Sequence, residues 1–253
     1  MTSPPPPGRL PLLLAVPYAL YALSLFLVVA LLALLVILPL GSLQARRSVV
    51  RAAARLALAL VGVRLRLLHP ARLPAGPCVV VANHASYLDG VVLKAALPAR
   101  FGFVIKREMN GVPLAGLLLR RIGAEFVDRG KGHKGTRDAR RVLKTASTGA
   151  SLAFFPEGTF ESGPGLMRFH AGAFVTAVRC RYPVVPLVIR GTRRALPPIH
   201  PWPRPGVVEI EVLQAITAQE SDADRAAMHL RRRARQAMLE RLGEPDLSPE
   251  EAR

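Results

Sequence analysis

At 253 residues the chain has room for one sizeable domain with an appendage, and nothing in it marks a second domain. Lys and Arg number 35 against 17 Asp and Glu, a formal net charge of +18 that points to an anionic partner. With aromatics at only 6% and no recognition motif, nucleic acid is excluded and an acidic membrane surface fits; two cysteines, Cys78 and Cys180, in apolar settings exclude a disulfide framework and any Cys/His metal spacing, so a reducing compartment and no metal are expected.

Residues 1–8 contain Pro4-Pro5-Pro6-Pro7 and read as a disordered, extended leader. From Leu10 to Ala45 no residue is charged, a run of 36 positions, where about 20 apolar residues in helix cross a bilayer. Pro17 and Pro39 bracket a helix predicted over Tyr18 to Leu38. The run is too long for the apolar core of a secretory signal, which is about 7–15 residues. A crossing and an in-plane hairpin bent near Pro17 both remain open. One Arg precedes the run, while Arg46, Arg47, Arg51 and Arg55 follow it, so a crossing chain keeps its catalytic part in the cytoplasm. Residues 1–45 are thus a leader and membrane anchor, and 46–253 a catalytic domain.

That domain opens with a linker helix over 46–61, whose apolar positions Val50, Ala53, Leu56, Ala57 and Leu60 recur at helical spacing between arginines. The stripe suits either the bilayer surface or a core. Strand-like and helix-like pieces then alternate: strands over 63–67, 78–82, 101–105, 125–127, 152–155, 184–189 and 207–213, and helices over 88–97, 112–122, 136–148, 171–181 and 222–242. The alternation predicts an α/β fold, a mixed, mostly parallel sheet covered by helices on both faces. In the closing helix Ala223, Ala227, Leu230, Ala234 and Met238 form a sheet-facing stripe, and Arg231-Arg232-Arg233-Ala234-Arg235 a solvated or lipid-facing basic one.

The chemistry concentrates where strands end. His84-Ala85-Ser86-Tyr87-Leu88-Asp89 follows the buried-strand run at 78–82. Five residues on one helix rotate through about 500°, so the two side chains pair only across a bend. With His84 ending the strand and Asp89 in the first turn of the next helix, the carboxylate reaches one imidazole nitrogen and leaves the other to act as a general base. The same letters also fit a capping box, with Ser86 as N-cap and Asp89 at N3. Phe154-Phe155-Pro156-Glu157-Gly158-Thr159 sets a carboxylate and a hydroxyl on a glycine turn after another strand, where open α/β sheets place ligands. Gly123-Ala124-Glu125-Phe126-Val127-Asp128-Arg129 ends a third strand in an arginine, and Lys106-Arg107 follows a fourth.

Four blocks together resemble the glycerolipid acyltransferase superfamily, whose best-known members are the 1-acylglycerol-3-phosphate acyltransferases. They are His84-x4-Asp89; Gly123-x-x-Phe126-Val127-Asp128-Arg129; Phe155-Pro156-Glu157-Gly158-Thr159; and Val185-Pro186, in the family's order over roughly residues 60–215. The resemblance implies transfer of a fatty acyl group from a thioester, on coenzyme A or acyl carrier protein, to a hydroxyl of a lysolipid, with no cofactor and with membrane lipids as partners. His84 is then the general base and Asp89 its orienter. Glu157, Gly158 and Thr159 hold the acceptor, and Arg129, assisted by Lys106 and Arg107, grips its phosphate. Where the family commonly has Arg after Glu-Gly-Thr, this chain has Phe160. That departure opens a second acceptor class, a zwitterionic lysophospholipid or a lyso-aminolipid. A membrane-bound thioester hydrolase and a non-catalytic scaffold are the remaining alternatives.

Overall fold

Valine runs with no polar interruption form strands that are buried on both faces, because β-branched side chains fit the pleat and both sides find apolar partners. In the computed structural model, which describes residues 12–128, 133–199, 202–220 and 222–248, Val79–Ala82 forms such a strand. Val80 and Ala82 enter one apolar layer and Val79 and Val81 the other.

Seven strands make one sheet: β1 (Val63–Leu68), β2 (Val79–Ala82), β3 (Phe101–Lys106), β4 (Glu125–Val127), β5 (Ser151–Phe154), β6 (Val184–Arg190) and β7 (Gly206–Val212). Their order is β1-β7-β6-β2-β5-β3-β4, and every neighbouring pair is parallel except β6 and β7. Helices α1 (Leu12–Ile37), α2 (Leu43–Leu60) and α3 (Asp89–Ala96) supply one layer, together with the short α7 (Thr192–Ala195). Helices α5 (His133–Ser147), α6 (Gly172–Cys180) and α8 (Ala223–Leu242) supply the other. The α4 helix (Ala115–Arg121) falls within the helix predicted over 112–122 and leads into β4, with a 3₁₀ turn at Arg107–Gly111 ahead of it. This is the mixed, mostly parallel, two-sided sheet expected from the alternation.

The apolar anchor is part of the domain. Pro17 falls inside α1, which starts ahead of the predicted bracket. Ala22 belongs to the same core layer as Leu58, Val92 and Leu93. Tyr18 Oη donates to the carbonyl of Val61 at 2.6 Å, and at the other end Leu34 and Ile37 pack with Val50 and Ile122. The boundary expected at 45/46 therefore falls inside one packed unit. The opposite face of α1 exposes Leu20, Leu23, Leu27, Leu31 and Leu35. Ala15–Ile37 is long and apolar enough to cross a membrane.

The arginines of α2 leave the lipid-surface reading of that helix. Arg55 Nε donates to the carbonyl of Ala95 at 2.9 Å and Arg51 to that of Ala96 at 3.4 Å, so both cap the end of α3. Cations at a helix C-terminus meet its unpaired carbonyls and the negative end of its dipole. Arg47, only 7% exposed, donates to the carbonyls of Ile122 (2.9 Å), Arg100 (3.2 Å) and Gly123 (3.3 Å). A Cβ on Gly102 would stand 3.0 Å from its guanidinium, and Gly123 has φ +66. Two glycines thus clear the channel this arginine fills. Beside it Lys94 is buried with no hydrogen-bond partner for its amine among the described residues, and burial with the nearby charges of Arg47 and Arg51 pushes it down to about 8.

In α8 the stripe Ala227, Leu230, Ala234 and Met238 is buried as predicted, while Ala223 is exposed. Arg235, assigned to the basic face, is instead buried. It donates to the carbonyls of Leu166 (2.9 Å) and Met167 (3.2 Å) and pairs with Asp246.

Candidate functional site

Because β2, β5, β3 and β4 run parallel, their C-terminal ends share one edge of the sheet, and the segments holding His84 and Asp89, Glu157, Lys106-Arg107 and Asp128 fall along it, whereas Val185-Pro186 opens β6 and pairs with Val80 and Val81 inside the sheet. Strands lie about 4.8 Å apart, so the end of β5 is adjacent to that of β2, with the ends of β3 and β4 roughly 10 and 14 Å away.

The polypeptide leaves β2 through Asn83, a buried polar residue at the end of an apolar run that the sequence reading passed over. Its side chain extends the ladder towards β6, donating to the carbonyl of Ile189 at 2.9 Å and accepting from that residue's N–H at 2.7 Å. His84 follows. Its Nδ1 lies 2.8 Å from Asp89 Oδ2, and the same oxygen accepts the N–H groups of Ala85 (2.6 Å) and Ser86 (2.8 Å). The bend inferred from the spacing is thus closed by one carboxylate oxygen. An ionised carboxylate only accepts, so Nδ1 carries the proton of neutral His84 and Nε2 presents its lone pair. Nε2 has no hydrogen-bond partner among the described residues.

The capping-box bonds coexist with the His84 pairing, since Asp89 Oδ2 accepts the Ser86 N–H and Ser86 Oγ the Leu88 N–H, but the regular helix starts later than that reading places it. Leu88, not Ser86, is the N-cap of α3, and Asp89 is its first residue. Ser86 Oγ accepts the Leu88 N–H at 3.1 Å and donates to the carbonyl of Leu196 at 2.7 Å, tying the turn to α7. Asp89 sits at the positive end of the α3 dipole, which favours its charge. Its Oδ1 is buried with no partner among the described residues.

Glu157 differs from its expected role. Its carboxylate is 3% exposed, and Oε1 accepts the His84 N–H at 2.7 Å while Oε2 accepts that of Met167 at 2.8 Å. It holds the turn that bears His84 and the loop that Arg235 also grips, instead of facing an acceptor. Burial pushes the carboxyl up to about 7 against those two hydrogen bonds. Gly158, at φ +80, makes the turn a non-glycine residue would strain, and Thr159 is exposed.

Aromatic rings surround His84. Phe155 stacks on the imidazole at 4.4 Å between centroids, and Phe160 meets it edge-on at 4.5 Å. Tyr87, 68% exposed, continues the wall at 4.9 Å from Phe160. The sequence singles out Phe160 as a substitution but gives no sign that it touches His84.

The basic cluster is only partly free. Arg107 donates to Asp138 Oδ1 at 2.6 Å, and the Asp128 N–H donates to Oδ2 at 2.8 Å. Burial pushes the Asp138 carboxyl up, but these bonds and the charges of Arg107 and Arg141 outweigh it and hold it below the usual range. Asp138, absent from the sequence reading, thereby locks β3 to the segment after β4. Lys106 is exposed with Glu108 3.5 Å away. Arg129 lies outside the described residues. Among the described residues no three of His, Cys, Asp and Glu cluster as metal ligands.

A family model described as Acyltransferase matches residues 64–190, half of the chain. Human 1-acyl-sn-glycerol-3-phosphate acyltransferase beta is 32% identical over 164 residues, covering 61% of this chain and 56% of that protein. The 1-acyl-sn-glycerol-3-phosphate acyltransferase of Neisseria gonorrhoeae is 30% identical over 162 residues, covering 62% and 63%. The lyso-ornithine lipid O-acyltransferase of Pseudomonas aeruginosa is 34% identical over 124 residues, covering 49% and 47%. The chain thus spans less than two thirds of each of these relatives. The crystal structure of the Thermotoga maritima 1-acyl-sn-glycerophosphate acyltransferase superposes with a TM-score of 0.72 at 18% identity, covering 90% of this chain and 95% of that one, and shares the fold.

Proposed function

The chain belongs to the acyltransferase family, and on that premise we propose that it moves a fatty acyl group from a thioester to the free hydroxyl of a lysophospholipid, 1-acylglycerol-3-phosphate first. The observation that carries the reading is the His84–Asp89 pair, with Nδ1 engaged and Nε2 unpartnered at the strand end. His84 Nε2 takes the proton of the acceptor hydroxyl as its oxygen attacks the thioester carbonyl. Asp89 stabilises the imidazolium that results. The tetrahedral intermediate then expels the thiolate, which recovers the proton from His84. Coenzyme A or acyl carrier protein carries the acyl group. Because a thioester is already activated, alignment and proton removal are the main tasks, and no serine nucleophile is needed.

Arg129, with Lys106 and the free edge of Arg107, is assigned to the acceptor phosphate, a contact that a planar guanidinium makes bidentately. Phe160 favours a second reading. With Tyr87 it presents an aromatic wall beside the base, and aromatic faces attract an ammonium head group. The test is an acceptor panel on purified protein with mass-spectrometric product detection, in wild type and Arg129→Ala. The first reading expects lysophosphatidic acid to be preferred and Arg129→Ala to raise its apparent KM about tenfold or more, the loss of a charge-assisted contact. Preference for a lyso-aminolipid or zwitterionic lysolipid, with Arg129→Ala neutral, would move the assignment to the second. Free fatty acid as the main product would make the protein a hydrolase.

The exposed apolar face of α1 supports attachment to the cytoplasmic membrane, and the packing of both its ends on the domain favours a helix lying in the bilayer's near leaflet. A helix that crossed instead would keep the catalytic part in the cytoplasm, because Arg46, Arg47, Arg51 and Arg55 follow it and one Arg precedes it. Protease added to sealed, right-side-out cells should spare the chain beyond Arg46; cleavage there overturns the orientation.

A further inference from the structure

Between α7 and β7 the chain is rich in proline, and it carries apolar side chains into solvent. Ile199 is 67% and Trp202 40% exposed. Isolated exposed apolar residues are ordinary; these two have a particular setting. Pro203 and Arg204 form one wall of an apolar slot whose other walls include Leu23 and Phe26 of α1 and Leu88, the residue before Asp89. Leu23 itself belongs to the exposed apolar face of α1. The segment therefore runs alongside the membrane-attaching helix. Its cations suit the same surroundings: the side chains of Arg194 and Arg204 have no ion-pair partner among the described residues. The segment is also fastened to the site, since Ser86 Oγ donates to the carbonyl of Leu196 at 2.7 Å and the Arg204 N–H to that of Ala195 at 2.7 Å.

We propose that Ile199 and Trp202, flanked by Arg194 and Arg204, form a second membrane-contact site that seats in the head-group region of an anionic bilayer beside α1. The proposal rests on the reading that α1 attaches the protein to a membrane. The chemistry selects a bilayer: the indole has an apolar body and one N–H and prefers the membrane–water interface, and arginines beside it meet lipid phosphates. A loop held this way carries the Ser86 hydrogen bond with it, so the turn bearing His84 and Asp89 sits at the depth where a lysolipid presents its hydroxyl.

Trp202 is the only tryptophan in the chain, so its fluorescence reports on this segment alone. The full-length protein would be reconstituted into phosphatidylcholine–phosphatidylglycerol vesicles with and without bromine on the acyl chains near the head group. The expected result is a blue-shifted emission and roughly two-fold or stronger quenching by the brominated lipid, as for an interfacial indole. Ile199→Asp should relieve most of that quenching while the protein still floats with the vesicles through α1. Co-flotation with Trp202 emission as in water and open to iodide would overturn the proposal and leave the α1 reading standing, as would unchanged quenching in Ile199→Asp. Failure to float with vesicles at all would overturn both.

Discussion

Replacing His84 by alanine should lower acyl transfer by roughly 10²- to 10⁴-fold, the usual cost of removing a general base. The fold should survive, because the side chain is partly exposed and its one polar contact among the described residues is to Asp89. Asp89→Asn should be nearly as severe for a different reason. Oδ2 of Asp89 accepts three donors, and loss of the charge removes the stabilisation of imidazolium. An amide turned the wrong way would donate to Nδ1 and leave Nε2 protonated, unable to act as a base. The asparagine should also lose about 1–3 kcal/mol of stability, since buried N–H groups of Ala85 and Ser86 depend on that oxygen. Single-turnover rates with denaturation midpoints separate the two effects. Near-normal turnover by folded His84→Ala would sink the assignment.

Glu157→Gln is the second severe substitution. The wild-type carboxylate serves two backbone N–H groups with two acceptors; glutamine has one, and its amide would point a donor at the other N–H. A buried unmatched pair of donors costs about 1–3 kcal/mol and frees the backbone of His84. A misplacement of about 1 Å at a reacting group can cost about 10²-fold, so kcat should fall by roughly that much with little change in KM. If Glu157 instead held the acceptor, KM would rise and kcat would persist. The pH dependence gives a second check. Because burial raises the folded carboxyl from 4.5 to about 7, ionising it costs stability. That contribution is fully present below about 4.5 and is lost as pH rises through 7, by on the order of 3 kcal/mol at most. The stability of wild type relative to Glu157→Gln should therefore fall over that interval; a flat difference would contradict the buried carboxylate.

The pairing of His84 with Asp89 was legible because it is local. A five-residue spacing cannot close on a helix, so a bend was required, and the strand before and helix after it located that bend. The alternation of elements was legible for a related reason: apolar periodicity reports which faces are buried, and parallel strands place their C-terminal ends on one edge. That three of the four blocks share that edge followed from strand direction; Val185-Pro186 instead opens β6.

Partners far apart in sequence leave no such trace. Glu157 reaches a backbone N–H 73 residues away, and Arg47 reaches carbonyls 75 and 76 residues ahead of it, contacts that no periodicity encodes. A carboxylate beside a glycine turn reads alike whether it meets a substrate or an amide of the neighbouring strand. Charge misled in the same way: the arginines of α2 and Arg235 counted towards a lipid-facing or solvated surplus, yet they meet backbone carbonyls or neutralise Asp246. The amino-acid order alone determined the strand ends, the bend and the apolar anchor. Only tertiary packing decided which polar groups those elements would satisfy internally, because burial removes water as a partner and each buried donor or acceptor must then find one in the folded chain.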